Sequence, residues 1–332
     1  KVNLRERSIV QSALNLESGK GVVRLLKSVF LTTAIIELAG AAIGYISFSR
    51  DHAPLDALGI SLFHAVASFN NAGFDILGNM QNLIPYADDV LLNLNTCAMI
   101  FFGGIGFPVI LEAARGRLRW HKMSMHARAA ILTSAVLLVL GAVLLKFTEG
   151  FSWLKAVLFS FSTRTAGFST APLSSFTPAG LTVVMALMFV GASPGSTGGG
   201  VKTTTLFALL QGLKSAATNR SERAFHYSLP KDAFRKAATI CAMSILVIGT
   251  GTFLLLVFEK GLAISDAMFE MVSAFGTVGL STGITPTLST AGKLLSILVM
   301  FIGRLGPMTV ATLWYFSRGE RIAYPEGNIS IG

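Results

Sequence analysis

Long apolar runs and short polar ones alternate along the chain in an order that comes round three times. Runs long enough, or nearly so, to cross about 30 Å of hydrocarbon lie at residues 28–49, 90–112, 129–147, 180–192, 237–258 and 293–316. The fourth is short and passes directly into Gly/Ser/Thr-rich sequence. Between the members of each pair sits a shorter amphipathic segment, 55–69, 152–163 and 263–275. These are too short to span, which predicts half-helices that re-enter or lie at the interface. The pattern predicts an all-α integral membrane protein built of repeated helix–pore loop–helix units. Its boundaries are a linker at 1–27, a pore repeat at 28–112, a linker at 113–128, a pore repeat at 129–213, a linker at 214–236, a pore repeat at 237–316 and a tail at 317–332.

Charge orients this plan. Of 27 Lys and Arg, nineteen fall in the three linkers and the tail, among them Arg115, Arg119, Lys122, Lys214, Arg220 and Arg235. The positive-inside rule assigns that side to the cytoplasm. The other side carries Asp51, Asp56, Asp75, Asp88, Asp89, Glu149, Glu259, Asp266 and Glu270, so the half-helices are expected to enter from outside. The net charge of +10, in a chain that is 52% hydrophobic and 13% charged, therefore speaks for orientation within membrane lipid rather than for nucleic acid. Cys97 and Cys241 both lie in apolar runs, which leaves no disulfide framework or cysteine metal site.

Each half-helix is followed by a matching phrase: Phe69-Asn70-Asn71-Ala72-Gly73-Phe74, Thr163-Arg164-Thr165-Ala166-Gly167-Phe168 and Phe275-Gly276-Thr277-Val278-Gly279-Leu280. A second set recurs in the following span, around Gly103-Gly104-Ile105-Gly106, Gly191-Ala192-Ser193-Pro194-Gly195 and Gly303-Arg304-Leu305-Gly306. A half-helix that stops within the membrane presents the negative end of its dipole, which favours a cation. Backbone unwound at that depth is tolerated where it is buried or lines a wet cavity, and its carbonyls can replace an ion's hydration shell. The phrases thus predict a selectivity filter holding potassium on carbonyls of Asn70, Asn71, Ala72 and Gly73, of Arg164, Thr165, Ala166 and Gly167, and of Gly276, Thr277, Val278 and Gly279.

Residues 191–205 admit two readings. Gly195 to Thr203 comes within one residue of a nucleotide-binding Walker motif, but Val201 separates Gly200 from Lys202 and no strand precedes it. A continuous helix is disfavoured, since each Gly costs about 1 kcal/mol and Pro about 3. An intramembrane loop fits better, with Ser196, Thr197, Thr203, Thr204 and Thr205 available to bind freed backbone groups. Arg304, mid-span, reads either as a staple between helices or as a group set beside the filter that bonds the loop and adds a positive barrier. Arg164 is expected to point behind the filter, toward a Glu or Asp of a neighbouring repeat, and Glu37 needs a partner that the sequence does not name. Asp75, Asp88 and Asp89 read as an acidic outer mouth or as a solvated loop.

Ser162 to Phe168, Gly191 to Thr203 and Gly303-Arg304, taken with the span–pore loop–span order, resemble the Ktr/Trk/HKT superfamily of potassium transporters over essentially the whole chain. The resemblance implies a pseudo-fourfold arrangement around one pore. Three repeats are seen here, so the first is expected to lie outside these residues, with 1–27 as the link from it. The resemblance further implies K⁺ uptake driven by the electrochemical gradient, with Na⁺ stimulation. Gly195, Ser196, Thr197, Gly198, Gly199, Gly200, Lys202 and Arg304 would form the gate. It also implies a homodimer in a bacterial plasma membrane and a cytosolic ring of RCK-type, KtrA-like subunits. That ring would bind ATP or ADP, so no organic cofactor is expected on this chain. A sodium-selective member of the superfamily is the nearest alternative. A broken-helix transporter of an organic substrate is more distant, because inverted repeats are expected there. A membrane-embedded nucleotide-dependent enzyme would need a folded cytosolic domain, and no linker exceeds thirty residues.

Overall fold

The computed structural model describes residues 22–78, 81–115 and 119–312. Most of the linker at 1–27, part of that at 113–128, the last residues of the 293–316 run and the whole tail lie outside the described residues.

The first unit pairs α1 (Val22–Phe48) with the short α2 (Pro54–Phe69), then α3 (Val90–Ile105) and α4 (Phe107–Arg115). The second holds α5 (Met125–Glu149), the short α6 (Trp153–Ser162), α7 (Pro178–Phe189) and α8 (Thr203–Thr218). After a two-residue hairpin, β1 (Arg223–Ala224) with β2 (Tyr227–Ser228), the third unit holds α9 (Ala233–Phe258), the short α10 (Ile264–Gly276), α11 (Thr290–Leu305) and α12 (Pro307–Thr312). Among the described residues α1, α5 and α9 are individually long and apolar enough to cross a membrane, and α3 with α4 qualifies as a bent pair. Their outer faces expose Phe30, Ile35, Val139, Phe147, Leu246 and Phe253, a pattern suited to lipid contact.

Local chemistry sets the helix ends. The side chains of Asp89, Ser124, Ser152, Thr177 and Ser289 accept N–H bonds at the starts of α3, α5, α6, α7 and α11. A repeated tie closes two of the units at one end. Glu149, the last residue of α5, accepts bonds from the backbone and hydroxyl of Thr177 at the start of α7, at 3.1 and 2.6 Å. Glu259, just past α9, accepts from the backbone N–H of Ser289 at the start of α11, at 2.8 Å. A carboxylate at a helix N-terminus also complements the macrodipole.

The 90–112 run is not the single span that its hydropathy suggests. It breaks at Gly106, where α3 and α4 meet at 99°. The 293–316 run breaks in the same way at Gly306. Gly106 and Gly306 have nearly identical backbones, φ 96 and 92 with ψ 134 at both, a region that excludes most side chains. Pro108 and Pro307 then sit in the first turn of the next helix, where a missing N–H is harmless. The 180–192 run ends at Phe189, and 190–202 is non-helical as its glycines foretell.

Two apolar clusters support the short helices. One packs Phe159, Phe269, Met271, Phe275 and Val278 with Met188 and Leu255; the other packs Phe48, Leu92, Ala166 and Phe168. The first includes Val278 of the phrase that follows α10 and the second Ala166 and Phe168 of the phrase that follows α6, so the core holds each of these turns.

Candidate filter and gate

The three glycine phrases come together. Gly73, Gly167 and Gly279 all have positive φ, 67, 84 and 89. A Cβ on Gly73 would overlap the carbonyl oxygen of Ala166, and one on Gly167 would overlap that of Val278. Each strand is thus pressed against the next in chain order, with glycine as the residue that permits the approach. At Gly279 the corresponding space is open among the described residues.

Two positions before each glycine the backbone is again left-handed, at Asn71 (φ 52), Thr165 (φ 98) and Thr277 (φ 51). A β-branched residue there is a genuine outlier, and such strain costs about 1–3 kcal/mol and concentrates at functional sites. Asn71 and Thr165 are 5% and 0% exposed. Asn70 differs from the rest of its phrase. It caps α2 and donates to Glu37 Oε1 at 2.9 Å and to the Val66 carbonyl at 3.0 Å, which supplies the partner that Glu37 lacked in the sequence. Gly276 ends α10 against the Met188 carbonyl.

Arg164 points behind its phrase, as its charge requires, yet the acidic partner expected for it is not what it meets. Its guanidinium, 7% exposed, donates to the Ser134 carbonyl at 3.4 Å, to Ser134 Oγ at 3.3 Å and to the Gly191 carbonyl at 3.1 Å. Neutral oxygens of α5 and of the Gly-rich loop therefore hold it, and it ties the second phrase to that loop.

The loop lies against the phrases. A Cβ on Gly198 would overlap Thr165 Oγ1, and one on Gly199 would overlap Thr277 Oγ1. The Gly199 N–H donates to Thr277 Oγ1 at 3.1 Å. Thr197 donates its hydroxyl toward the Phe69 and Gly103 carbonyls at 3.1 and 3.0 Å, and Gly103 accepts the Thr197 N–H as well. Phe107 donates to the Gly195 carbonyl and Gly200 to that of Gly303, at 3.0 and 3.3 Å, so the loop is bonded to the α3–α4 bend and to α11. Ser196 bonds back to the Ser193 carbonyl at 2.5 Å. Val190 and Val201 form a parallel bridge across the loop's base. Two cations close it: Arg304 donates to the Thr197 carbonyl, and Lys202 Nζ to the Gly198 carbonyl at 2.7 Å.

The acidic-mouth residues have local partners. Asp89 caps α3 and pairs with Arg50 at 3.3 Å, Asp88 lies 3.7 Å from Lys155, and Asp75 accepts from the Leu77 N–H at 3.0 Å.

A family model for the TrkH cation transport protein matches residues 2–149 and 123–317. The Ktr system potassium uptake protein B of Bacillus subtilis is 35% identical over 346 aligned residues, which take in all of this chain and 77% of its own length. The potassium/sodium uptake protein NtpJ of Enterococcus hirae is 34% identical, with coverage of 100% and 77%. The crystal structure of the potassium transporter TrkH from Vibrio parahaemolyticus has the same fold, with a TM-score of 0.73 at 20% identity over 93% of this chain and 68% of its own. The molecule is a membrane transport protein, not an enzyme. It belongs to the TrkH cation transport family.

Proposed function

We propose that the chain takes up potassium through a filter made of the three glycine phrases, closed beneath by the 191–202 loop. The observation that carries this reading is the convergence of Gly73, Gly167 and Gly279, each after a short helix and each at positive φ, with no room for a Cβ between the first two strands and their neighbours. Three short helices that end at adjoining turns favour a cation beside their C-termini, and unwound carbonyls there exchange for its hydration shell. The open side of Gly279 is where a further strand would complete a pseudo-fourfold ring. Arg304 and Lys202 add two positive charges beside the loop, so that a closed loop blocks the path by volume and by repulsion together.

The basic linkers support an orientation with the loop's side in the cytoplasm and the glycine phrases nearer the outside. By analogy with the Ktr system proteins, the chain works as a homodimer with a separate cytosolic regulatory ring, and any ATP or ADP binds that ring. The name of NtpJ favours keeping sodium in view, as a co-stimulating or competing ion. The test is potassium-limited growth of an uptake-deficient bacterial host that expresses the gene, repeated against added sodium. Rescue by potassium supports the reading, and accumulation of sodium alone would transfer it to the sodium-selective alternative.

A further inference from the structure

Of the threonines and asparagine held at positive φ beneath the glycines, Thr277 stands out by what its hydroxyl does. Thr165 Oγ1 and both polar atoms of the Asn71 side chain are buried without a hydrogen-bond partner among the described residues. Thr277 Oγ1 instead accepts the Gly199 N–H, at 3.1 Å, from the middle of the Gly-rich loop. Gly199 fits there only as glycine, because a Cβ would fall on the Thr277 side chain. One residue further on, Gly200 donates to the Gly303 carbonyl, and a Cβ added to it would come within 3.5 Å of the Gly276 Cα. The third phrase is thus touched by the loop at two successive residues. On its other side the Val278 carbonyl occupies the space that a side chain on Gly167 would need.

We infer that Thr277 is a positioning residue that couples the loop to ion selectivity. With the loop in place, the Gly199 bond holds Thr277 in its left-handed conformation and so fixes where the Val278 carbonyl stands. When the loop leaves, Gly199 withdraws its donor, the strained threonine is freer to relax, and the third strand loosens against the second. Selectivity then depends on the state of the loop. The linkage is reciprocal, so the ion held by the filter also biases the loop.

This inference rests on the filter and gate reading above, and the test separates the two. Potassium and sodium fluxes are measured on the full-length protein in vesicles for Thr277→Val, Thr277→Ser, a deletion of Gly198–Gly200, and the deletion combined with Thr277→Val. Valine keeps the β-branched shape and removes the acceptor. Thr277→Val is expected to lower the K⁺/Na⁺ flux ratio about five-fold, the scale of one neutral hydrogen bond. Thr277→Ser restores the ratio. In the loop-deleted background Thr277→Val changes nothing further. An effect of equal size in that background would mean that the hydroxyl meets the ion directly, and no effect in the intact protein would remove the coupling; either overturns the inference. A second measurement needs no variant: amide exchange at 198–200 should be slower in potassium than in sodium, and equal rates count against coupling. If Gly279→Ser changes the flux ratio while Thr277→Val does not, the coupling fails and the filter stands. If neither changes it, the filter reading fails first.

Discussion

Arg304 and Lys202 bond consecutive carbonyls of one loop, those of Thr197 and Gly198, the first from 107 residues further along the chain and the second from four. Arg304 belongs to the last repeat, and Lys202 is the residue at which the loop re-enters helix α8. A charged donor on a carbonyl is worth roughly 1.5–3 kcal/mol, so each acts as a separate latch.

Arg304→Ala is therefore expected to raise basal cation flux by about ten-fold or more, with a smaller effect on the melting temperature. Flux assays in vesicles beside thermal unfolding in detergent check this. A large fall in stability with unchanged flux would identify Arg304 as a staple between helices.

The glycines of the proposed filter should respond unequally. Gly167→Ala adds a Cβ where the Val278 carbonyl stands, and adds about 1–2 kcal/mol of left-handed strain, so potassium flux should be lost. Gly279→Ser meets open space among the described residues and bears the strain alone. It should keep transporting and discriminate less against sodium, as measured by the K⁺/Na⁺ flux ratio.

Ser134→Ala removes the hydroxyl that Arg164 uses behind its glycine phrase. The expected cost is about 1–3 kcal/mol, read as a fall in melting temperature. Arg164→Lys should not be tolerated as a conservative change, because one ammonium cannot serve Ser134 and Gly191 together as the guanidinium fork does.

At the hairpin between α8 and α9, Phe225 and His226 both have positive φ, 50 and 69. Phe225 stacks on Phe207 at 5.8 Å, meets Trp120 edge-on at 6.1 Å and lies under Arg128. His226 has no such ring contact among the described residues and is exposed. Phe225→Ala should cost about 2 kcal/mol, whereas His226→Gly should stay within about 1 kcal/mol. Thermal unfolding of the two variants separates packing from backbone strain.

Much of this architecture is legible in the chain. The three short helices fall within a few residues of the amphipathic segments, because a run too short to span but apolar on one face has few other solutions in a membrane. The glycine phrases are legible because they recur. What escaped is long-range pairing of polar groups. Arg164 carries a charge, and charge suggests an acidic partner, yet Ser134 and the Gly191 carbonyl serve it; no local pattern marks a neutral acceptor thirty residues away. Glu149 and Glu259 read as outer surface charge, although they close the ends of helices at Thr177 and Ser289. Here a signal existed: each acid ends a first helix, and a Ser or Thr followed three residues later by Gly begins the second. The bends at Gly106 and Gly306 were hidden by hydropathy, which is blind to backbone angle.

Those two bends have a mechanical consequence. A helix that turns through about a right angle cannot slide along its own axis, so piston-like displacement is denied to α3 and to any segment bent in the same way. Between the corresponding positions of the middle repeat there is no elbow, only a run of thirteen non-helical residues bonded to Phe107 at the first bend and to Gly303 near the end of α11. The compliant part of such an assembly is that run, and two of its anchors, Phe107 and Gly303, belong to the repeats on either side.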